Sequence, residues 1–268
     1  MKKRSVKIIM SILIFLCILI FSSVNLQDYI KISLYPFLKN IEKYRILNNV
    51  KDYDIYETEH FIIRHNNIKA AEMTEEIIDK YYADICDMYK YSPDKKFDII
   101  IYNDGEELMK NVGLDKDSPP LGVYYSGTIN ILSPMEWIKD NNNIKDIYEV
   151  KGPIVHEFTH LIVDELTNGN YPMWLTEGLA LYTEYSTTGF EWGEKLSYNN
   201  KVSVENLNRD FNSIDQTIAY RKSFEVVKNI SDNWGFEKVK LMLTDLGEGN
   251  TIHKTVKVVL KINLNDIE

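Results

Sequence analysis

The segment His156-Glu157-Phe158-Thr159-His160 constrains this chain more than any other part of its sequence. Residues i and i+4 lie on one face of a helix about 6 Å apart, so both imidazoles can reach a single metal ion. Glu157 is offset from the two histidines, and its carboxylate can reach a water molecule beside that ion. The flanking residues are apolar: Ile154, Val155, Phe158, Leu161 and Ile162. The segment therefore predicts a buried helix that presents a metal site on one face.

A third ligand is needed, because a catalytic zinc site combines three protein ligands with one open position. Sixteen residues separate His160 from Glu177, which lies in the segment MWLTEGLALY. Pro172 would begin a second helix there, and Gly178 would let that helix approach a neighbour closely. Taken alone, this segment is a set of core positions with a solvated glutamate. With the paired histidines upstream, Glu177 is predicted to be the third ligand.

The two segments together resemble the gluzincin metallopeptidases, including the aminopeptidase N family. In that family a glutamate within Trp-Leu-x-Glu-Gly-hydrophobic-Ala is the third zinc ligand, which implies this role for Glu177. The closer resemblance, over nearly the whole chain after residue 55, is to small bacterial peptidase MA-like domains. GVYYSGTINILS resembles their hairpin before the zinc helix, and AYRKSFEVVKNISDNWG resembles their helix after it. The resemblance implies a zincin fold with Zn²⁺ as the cofactor.

The expected activity is zinc-dependent hydrolysis of a peptide or protein substrate, with Glu157 as the general base that activates a zinc-bound water. The resembling families take a tyrosine from a helix downstream of the glutamate ligand, which implies Tyr220 as the oxyanion-stabilising residue. A plain core or surface tyrosine is the alternative, since the chain has 18 tyrosines. Tyr182 and Tyr185 are weaker candidates for the same role.

A ligand histidine usually donates its second N–H to a carboxylate or a carbonyl. Asp164, one turn beyond His160, and Glu184 are candidates for this, although the default interpretation makes both solvated surface acids. His60, His65 and His253 lack ligand spacing and are expected to be structural or exposed.

One difference from the aminopeptidase N family concerns the strand before the zinc helix. There, the glutamate of a Gly-x-Met-Glu-Asn motif holds the free amine of the substrate. Here the similar stretch, Gly127-Thr128-Ile129-Asn130-Ile131, has no acid, so strict aminopeptidase activity is not expected. The strand could still pair with an extended peptide by β-addition.

The N-terminus carries four basic residues among its first seven, followed by an uncharged apolar run of about 17 residues, Ile8–Val24. We predict an uncleaved membrane anchor (residues 1–25), with a cleaved signal peptide as the alternative. The basic end should remain cytoplasmic. The predicted location is therefore the cell membrane, single-pass, with the catalytic domain outside; a cleaved segment would make the protein secreted.

Net charge argues against a nucleic-acid-binding protein, and cysteine content argues against an enzyme with a cysteine nucleophile. Residues 1–30 contribute a formal charge of +3, so the rest of the chain carries −12 against −9 for the whole. Such an acidic domain repels nucleic acid, and no nucleic-acid partner is expected. Cys86 stands alone after the apolar run and follows a helical apolar pattern, so a packed thiol is favoured over a nucleophile.

The order of patterns predicts an α+β fold. Residues 26–52 are interpreted as a partly helical juxtamembrane stalk, and residues 53–268 as a zincin-like metallopeptidase domain with a small mixed sheet and a helical C-terminal half. Strands are predicted at 55–65 and 97–102, and a hairpin at 121–133 around Ser126-Gly127. Asp104 is predicted to cap a short helix through Leu108, and helices dominate from Pro134 onward.

Three other functions are compatible with parts of this sequence. A membrane-embedded metalloprotease would need its motif in a long apolar span, whereas Asp164 and Glu165 follow the motif within one turn. A purely structural zinc site is usually closed by four side chains, often cysteines. A noncatalytic zincin module, acting in binding or signalling, is the main alternative, although such a module could dispense with Glu157.

Overall fold

The computed structural model describes residues 24–115, 117–140, 142–196 and 202–267. The predicted membrane segment therefore lies outside the described residues, apart from its last positions. In chain order the elements are α1 (Val24–Asn49), β1 (Asp54–Glu57), β2 (Phe61–His65), α2 (Ile68–Tyr89), β3 (Phe97–Tyr102), α3 (Gly105–Val112), β4 (Gly122–Tyr125), β5 (Thr128–Leu132), α4 (Pro134–Trp137), α5 (Ile144–Lys151), α6 (Ile154–Thr167), α7 (Met173–Thr188), α8 (Val204–Asp210), α9 (Gln216–Trp234), α10 (Phe236–Gly247) and α11 (Ile252–Val259), with short 3₁₀ turns at Phe211–Ser213 and Leu264–Asp266.

The strands form one five-stranded mixed sheet in the order β1-β2-β3-β5-β4. The three inner strands are parallel to one another, and β1 and β4 are antiparallel edges. The predicted combination of a small mixed sheet with a helical C-terminal half is confirmed. β3 and β5 are buried along their whole length, as expected for strands covered on both faces.

Side-chain alternation along β3 supplies two hydrophobic cores. Ile99 and Ile101 point into the main core with α2, α6, α7 and α9. Ile100 and Tyr102 point to the other face, where they join a smaller core with α1 and α3. Because successive strand residues face opposite ways, a continuous apolar strand can serve both cores at once.

The segment predicted to be a stalk is helical, and its C-terminal half packs on the domain. Ile46 and Val50 are fully buried in the smaller core. Arg45 donates to the carbonyl of Asn111 at 2.9 Å, and Lys39 reaches Asp164 at 2.5 Å. This half of α1 is therefore part of the folded domain and not a separate spacer. Among the helices in the described part of the chain, none has the length and apolar character to cross a bilayer.

Two local predictions need correction or extension. The single strand predicted over 55–65 is two antiparallel strands, β1 and β2, because the chain turns at residues 58–60. The Thr58 hydroxyl accepts from Phe61 N at 3.1 Å and closes that turn without a glycine or proline to mark it. Asp104 caps α3 as predicted, but the helix continues to Val112, where Gly113 ends it with a φ of 71°.

The hairpin of β4 and β5 is confirmed around Ser126 and Gly127, whose φ values of 48° and 80° suit a tight two-residue turn. The predicted start of a helix at Pro172 is confirmed as well. Pro153 precedes α6 and Pro172 precedes α7. These two helices form the floor of the site described next.

Candidate metal centre

Helix α6 is held in place by its apolar face. Phe158 is fully buried, and its ring stacks on Tyr82 and Phe97 at 5.4 and 5.1 Å between centroids. This packing turns the opposite face of α6, with His156 and His160, toward a cleft. The two imidazoles remain slightly exposed, with 16% and 12% of their side-chain surface accessible.

Glu177 of α7 faces both imidazoles. Its Oε2 lies 3.2 Å from Nε2 of His156 and 3.5 Å from Nε2 of His160. The three ligand atoms all lie within 4.8 Å of one another, so this cluster could hold a metal ion. Two helices separated in sequence by a short loop thus bring together the three residues that the sequence singled out.

The other nitrogen of each imidazole has its own partner. His156 Nδ1 lies 3.4 Å from Oε2 of Glu184, and His160 Nδ1 lies 2.6 Å from Oγ1 of Thr176. A carboxylate can only accept, so Nδ1 of His156 carries the proton of that bond. Each ring is oriented with Nε2 toward Glu177. Glu184 was a candidate for this contact, whereas Thr176 was not recognised from the sequence.

The electrostatics of the cluster favour a cation. Burial opposes a positive charge on His156, but the carboxylates of Glu184 and Glu177 raise its pKa well above the usual histidine value. Burial also disfavours the charge of Glu177, yet the two imidazoles hold its pKa below the ordinary range. Carboxylates outnumber imidazoles here once Glu157 is included, and the surplus negative charge attracts a cation.

Glu157 sits beside the cluster and is almost fully buried. Its Oε2 accepts from the backbone N–H of Tyr124 at 2.5 Å. A Cβ on Gly122 would lie 2.6 Å from Pro153 Cβ and 2.9 Å from Glu157 Oε1, so any larger residue would crowd both side chains. Burial raises the pKa of Glu157, while the two imidazoles act in the opposite direction.

Helix α9 closes the cleft from the side of α7. Gly178 makes this approach possible, since a Cβ there would stand 2.4 Å from the carbonyl oxygen of Ser223. The close approach predicted for Gly178 is therefore present. It brings Tyr220 to the cleft wall beside His156 and Glu157, and burial together with the Glu177 carboxylate raises the pKa of the Tyr220 phenol.

The weaker tyrosine candidates and the remaining histidines lie elsewhere. Tyr182 bonds to Ser231 at 2.7 Å, and the ring of Tyr185 packs on Phe224. The other histidines do not join the cluster: His60 stacks on Tyr82, His65 is buried in β2, and His253 contacts Glu205. They are structural or exposed, as expected.

Asp164 is neither a solvated surface acid nor a partner of a ligand histidine, so both interpretations from the sequence were wrong. Its side chain is fully buried and accepts from Tyr35, Lys39 and Tyr124. The three donors come from α1 and β4, elements whose position relative to α6 cannot be read from local sequence.

The strand expected to receive a peptide is also corrected. Gly127–Ile131 corresponds to the turn and β5, which is an inner strand paired on both sides by β3 and β4. Asn130 is fully buried and accepts from the Tyr102 hydroxyl at 3.0 Å. β5 has no free edge, whereas β4 is the edge strand beside the cleft.

Two connected cavities flank Glu157. One, of about 500 Å³, extends past Leu121, Leu181 and Trp192, and the other, of about 330 Å³, extends past Leu114 and Tyr171. They share five wall residues: Gly122, His156, Glu157, Gln216 and Tyr220. The cleft therefore continues on both sides of Glu157.

The described residues form a mixed α/β domain with a possible His–His–Glu metal site. Residues 87–268 match the family model of the Peptidase MA superfamily. The match covers more than half of the chain and includes every residue of the cluster, so the chain belongs to this superfamily. No curated protein matches the chain.

Proposed function

We propose that this protein is a zinc-dependent peptidase whose ion is held by His156, His160 and Glu177. The observation that carries the proposal is the distance of 3.2 and 3.5 Å from Glu177 Oε2 to the two Nε2 atoms. Ligands about 2.0–2.1 Å from one tetrahedral zinc ion stand roughly 3.4 Å apart, so both of these separations suit that ion, and all three donor atoms lie within 4.8 Å of one another. Two imidazoles and one carboxylate are also a ligand set of catalytic zinc sites, which keep a fourth position open.

A bound zinc ion supplies Lewis acidity, which polarises a carbonyl and lowers the pKa of water. Glu157 is the residue proposed to move protons. Its carboxylate takes a proton from the attacking water and delivers it to the nitrogen of the leaving amine. Burial raises the pKa of Glu157, which makes its carboxylate a stronger base toward water. The same shift lets the protonated carboxyl group keep the proton until the leaving amine accepts it.

Tyr220 is proposed to donate its phenolic O–H to the oxyanion that develops on the scissile carbonyl. Support comes from its position in the wall of both cavities, together with His156 and Glu157. A tyrosine phenol is protonated at neutral pH, and burial raises the pKa of Tyr220 further, so the group is available as a donor.

The substrate is proposed to be an internal segment of a peptide or protein, lying along β4. Leu132 N donates to Leu121 O across the hairpin. Hydrogen-bonded pairs alternate in an antiparallel ladder, so the backbone of Val123 bonds to β5, while the backbone N–H and C=O groups of Gly122 and Tyr124 point away from β5. The Tyr124 N–H is used by Glu157, so an extended peptide would pair with the other edge-facing groups, the N–H and C=O of Gly122 and the C=O of Tyr124. No carboxylate on β4 or β5 is available to hold a free amine, and the cleft continues past Glu157 in both directions.

The location outside the membrane is part of the proposal. It rests on the basic residues and the apolar run at the N-terminus, which orient the folded part of the chain to the outer side.

The test is digestion of a peptide library by the purified full-length protein, with and without a chelator. We expect cleavage that the chelator abolishes and added zinc restores. Glu157→Gln should keep its zinc and lose a factor of about 10²–10⁴ in kcat. Glu237→Gln, an exposed change on α10, is the matched control. A zinc-loaded wild-type protein that cleaves no peptide would instead support a noncatalytic module.

A further inference from the structure

Asp164 is a buried carboxylate that joins three elements of the fold. It lies one turn beyond His160 on α6 and has no solvent-accessible side-chain surface. Its Oδ1 accepts from the Tyr35 hydroxyl, and its Oδ2 accepts from Lys39 Nζ at 2.5 Å and from the Tyr124 hydroxyl at 2.7 Å. Tyr35 and Lys39 belong to α1, and Tyr124 belongs to the edge strand β4.

A paired ammonium and two phenol donors explain how the Asp164 carboxylate can be buried there. Burial disfavours the charge of Lys39, but Asp164 raises the pKa of the ammonium above its usual value. Lys39 also donates to Glu165 at 2.6 Å. A buried charge is stable only when it is paired and hydrogen-bonded, so removal of Lys39 would leave Asp164 without its counter-charge.

Tyr124 connects this cluster to the cleft, because its two ends bind two carboxylates of the same helix. Its backbone N–H donates to Glu157 and its phenol donates to Asp164. Residues 157 and 164 are seven apart, so both side chains project from one face of α6, two turns from each other. Tyr124 alone thus attaches the edge strand to α6 at two positions, Glu157 and Asp164.

We propose that Asp164, Lys39 and Tyr35 are positioning residues for the reaction at Glu157. Helix α1 holds Asp164, Asp164 holds the Tyr124 phenol, and the Tyr124 N–H holds the carboxylate of Glu157. The role in turnover rests on the proposed peptidase function, whereas the attachment of β4 to α6 does not. A displacement of about 1 Å at a reacting group can lower a rate by a factor of about 10². Greater mobility of β4 should therefore lower kcat.

The experiment compares Lys39→Met and Tyr35→Phe with Lys43→Met in the full-length, zinc-loaded protein. Lys43 lies one turn further along α1 and pairs with Asp98, which keeps Arg64 as a second partner. Two quantities are measured for each variant: hydrogen exchange of the segment 122–125, and kcat and KM on one peptide. Lys39→Arg tests whether a replacement cation rescues both.

We expect exchange of 122–125 to rise about 10-fold or more in Lys39→Met and less in Tyr35→Phe, with zinc content unchanged. In the same variants kcat should fall about 10–100-fold, more than KM rises. Lys43→Met should match wild type in both quantities, and Lys39→Arg should recover most of the loss.

Failure of the positioning proposal can be distinguished from failure of the proposed peptidase function. Wild-type exchange of 122–125 in Lys39→Met would overturn the attachment, whatever the activity. Faster exchange with unchanged kcat would overturn the positioning role while leaving the peptidase function intact. If the zinc-loaded wild-type protein cleaves no peptide, the proposed function is refuted. Faster exchange of 122–125 in Lys39→Met would then still confirm that α1 holds β4. A lower melting temperature with unchanged kcat per zinc-loaded molecule would reduce the cluster to a structural role.

Discussion

Both nitrogens of His160 are engaged by consecutive residues of α7. Nδ1 lies 2.6 Å from Oγ1 of Thr176, and Nε2 lies 3.5 Å from Oε2 of Glu177. One turn of α7 therefore orients the His160 ring through Thr176 and also carries Glu177, whose carboxylate faces that ring. This arrangement explains why a threonine next to the predicted ligand matters to the site, and it leads to the first prediction.

Thr176→Val should weaken zinc binding without removing it. Valine keeps the shape of threonine but cannot accept from His160 Nδ1, so the ring loses the contact that sets its orientation. Loss of such a partner typically costs 10–100-fold in metal affinity. Competition with a chromogenic chelator measures the change. Thr244→Val on the exposed side of α10 should leave the affinity unchanged, and an equal loss in both variants would refute the role of Thr176.

His160→Ala should abolish stoichiometric zinc, because two ligands do not suffice for a catalytic site. Elemental analysis of the purified protein measures this directly. His253→Ala is the control, since His253 is exposed and pairs with Glu205, which is not part of the cluster. Full zinc occupancy in His160→Ala would overturn the ligand assignment.

Gly178→Ala should destabilise the protein. The added Cβ would stand 2.4 Å from Ser223 O and 2.7 Å from Val227 Cγ2, so α7 and α9 would have to separate. Overpacking of this kind costs about 1–3 kcal/mol, which lowers the melting temperature by roughly 2–4 °C per kcal/mol in a domain of this size. Thermal unfolding followed by circular dichroism measures it. Leu241→Ala, at an exposed position of α10, should change the melting temperature little.

Cys86 should be unreactive in the native protein. The thiol is buried against α2 neighbours, and burial raises its pKa, which leaves little thiolate at pH 8. In a Cys17→Ser background, a disulfide reagent that releases a coloured thiol should titrate Cys86 only after denaturant is added. Rapid titration of the folded protein would contradict the packed position of the thiol.

Peptides with a blocked N-terminus should be cleaved at rates similar to those of their free counterparts. The cleft continues on both sides of Glu157, and neither β4 nor β5 offers a carboxylate to a free amine. N-acetylation of one good substrate from the library, followed by mass spectrometry, makes the comparison. A strong preference for the free amine would indicate an aminopeptidase and refute the internal-segment proposal.

Much of the cluster could be predicted, because its two histidines obey a local rule. His156 and His160 share a helix face through the helical repeat alone, and Glu177 was found from the apolar segment around it. Thr176 carried no comparable signal, since a threonine before a glutamate is common in helices. Tyr124 is one of 18 tyrosines, and nothing in its neighbourhood marks the one that contacts Glu157.

Other predictions went wrong where distant segments meet. β5 was expected to receive a peptide, but its position between β3 and β4 depends on the strand order of the sheet. Asp164 follows an apolar stretch in a pattern typical of the solvated end of a helix, yet α1 covers it. The turn at residues 58–60 was missed because the Thr58 hydroxyl closes it without glycine or proline.

The amino-acid sequence by itself determined the helix that bears the two histidines, the glutamate that faces them and the mixed α+β character of the domain. The helix and the fold class follow from side-chain periodicity, which acts over a few residues, and Glu177 follows from the third ligand that the paired histidines require. Only the tertiary structure decided which strand is the free edge, which groups orient the imidazoles and why Asp164 is buried. Those outcomes depend on contacts between residues as far apart as Tyr35 and Asp164, 129 positions along the chain, and local propensity holds no information on such pairings.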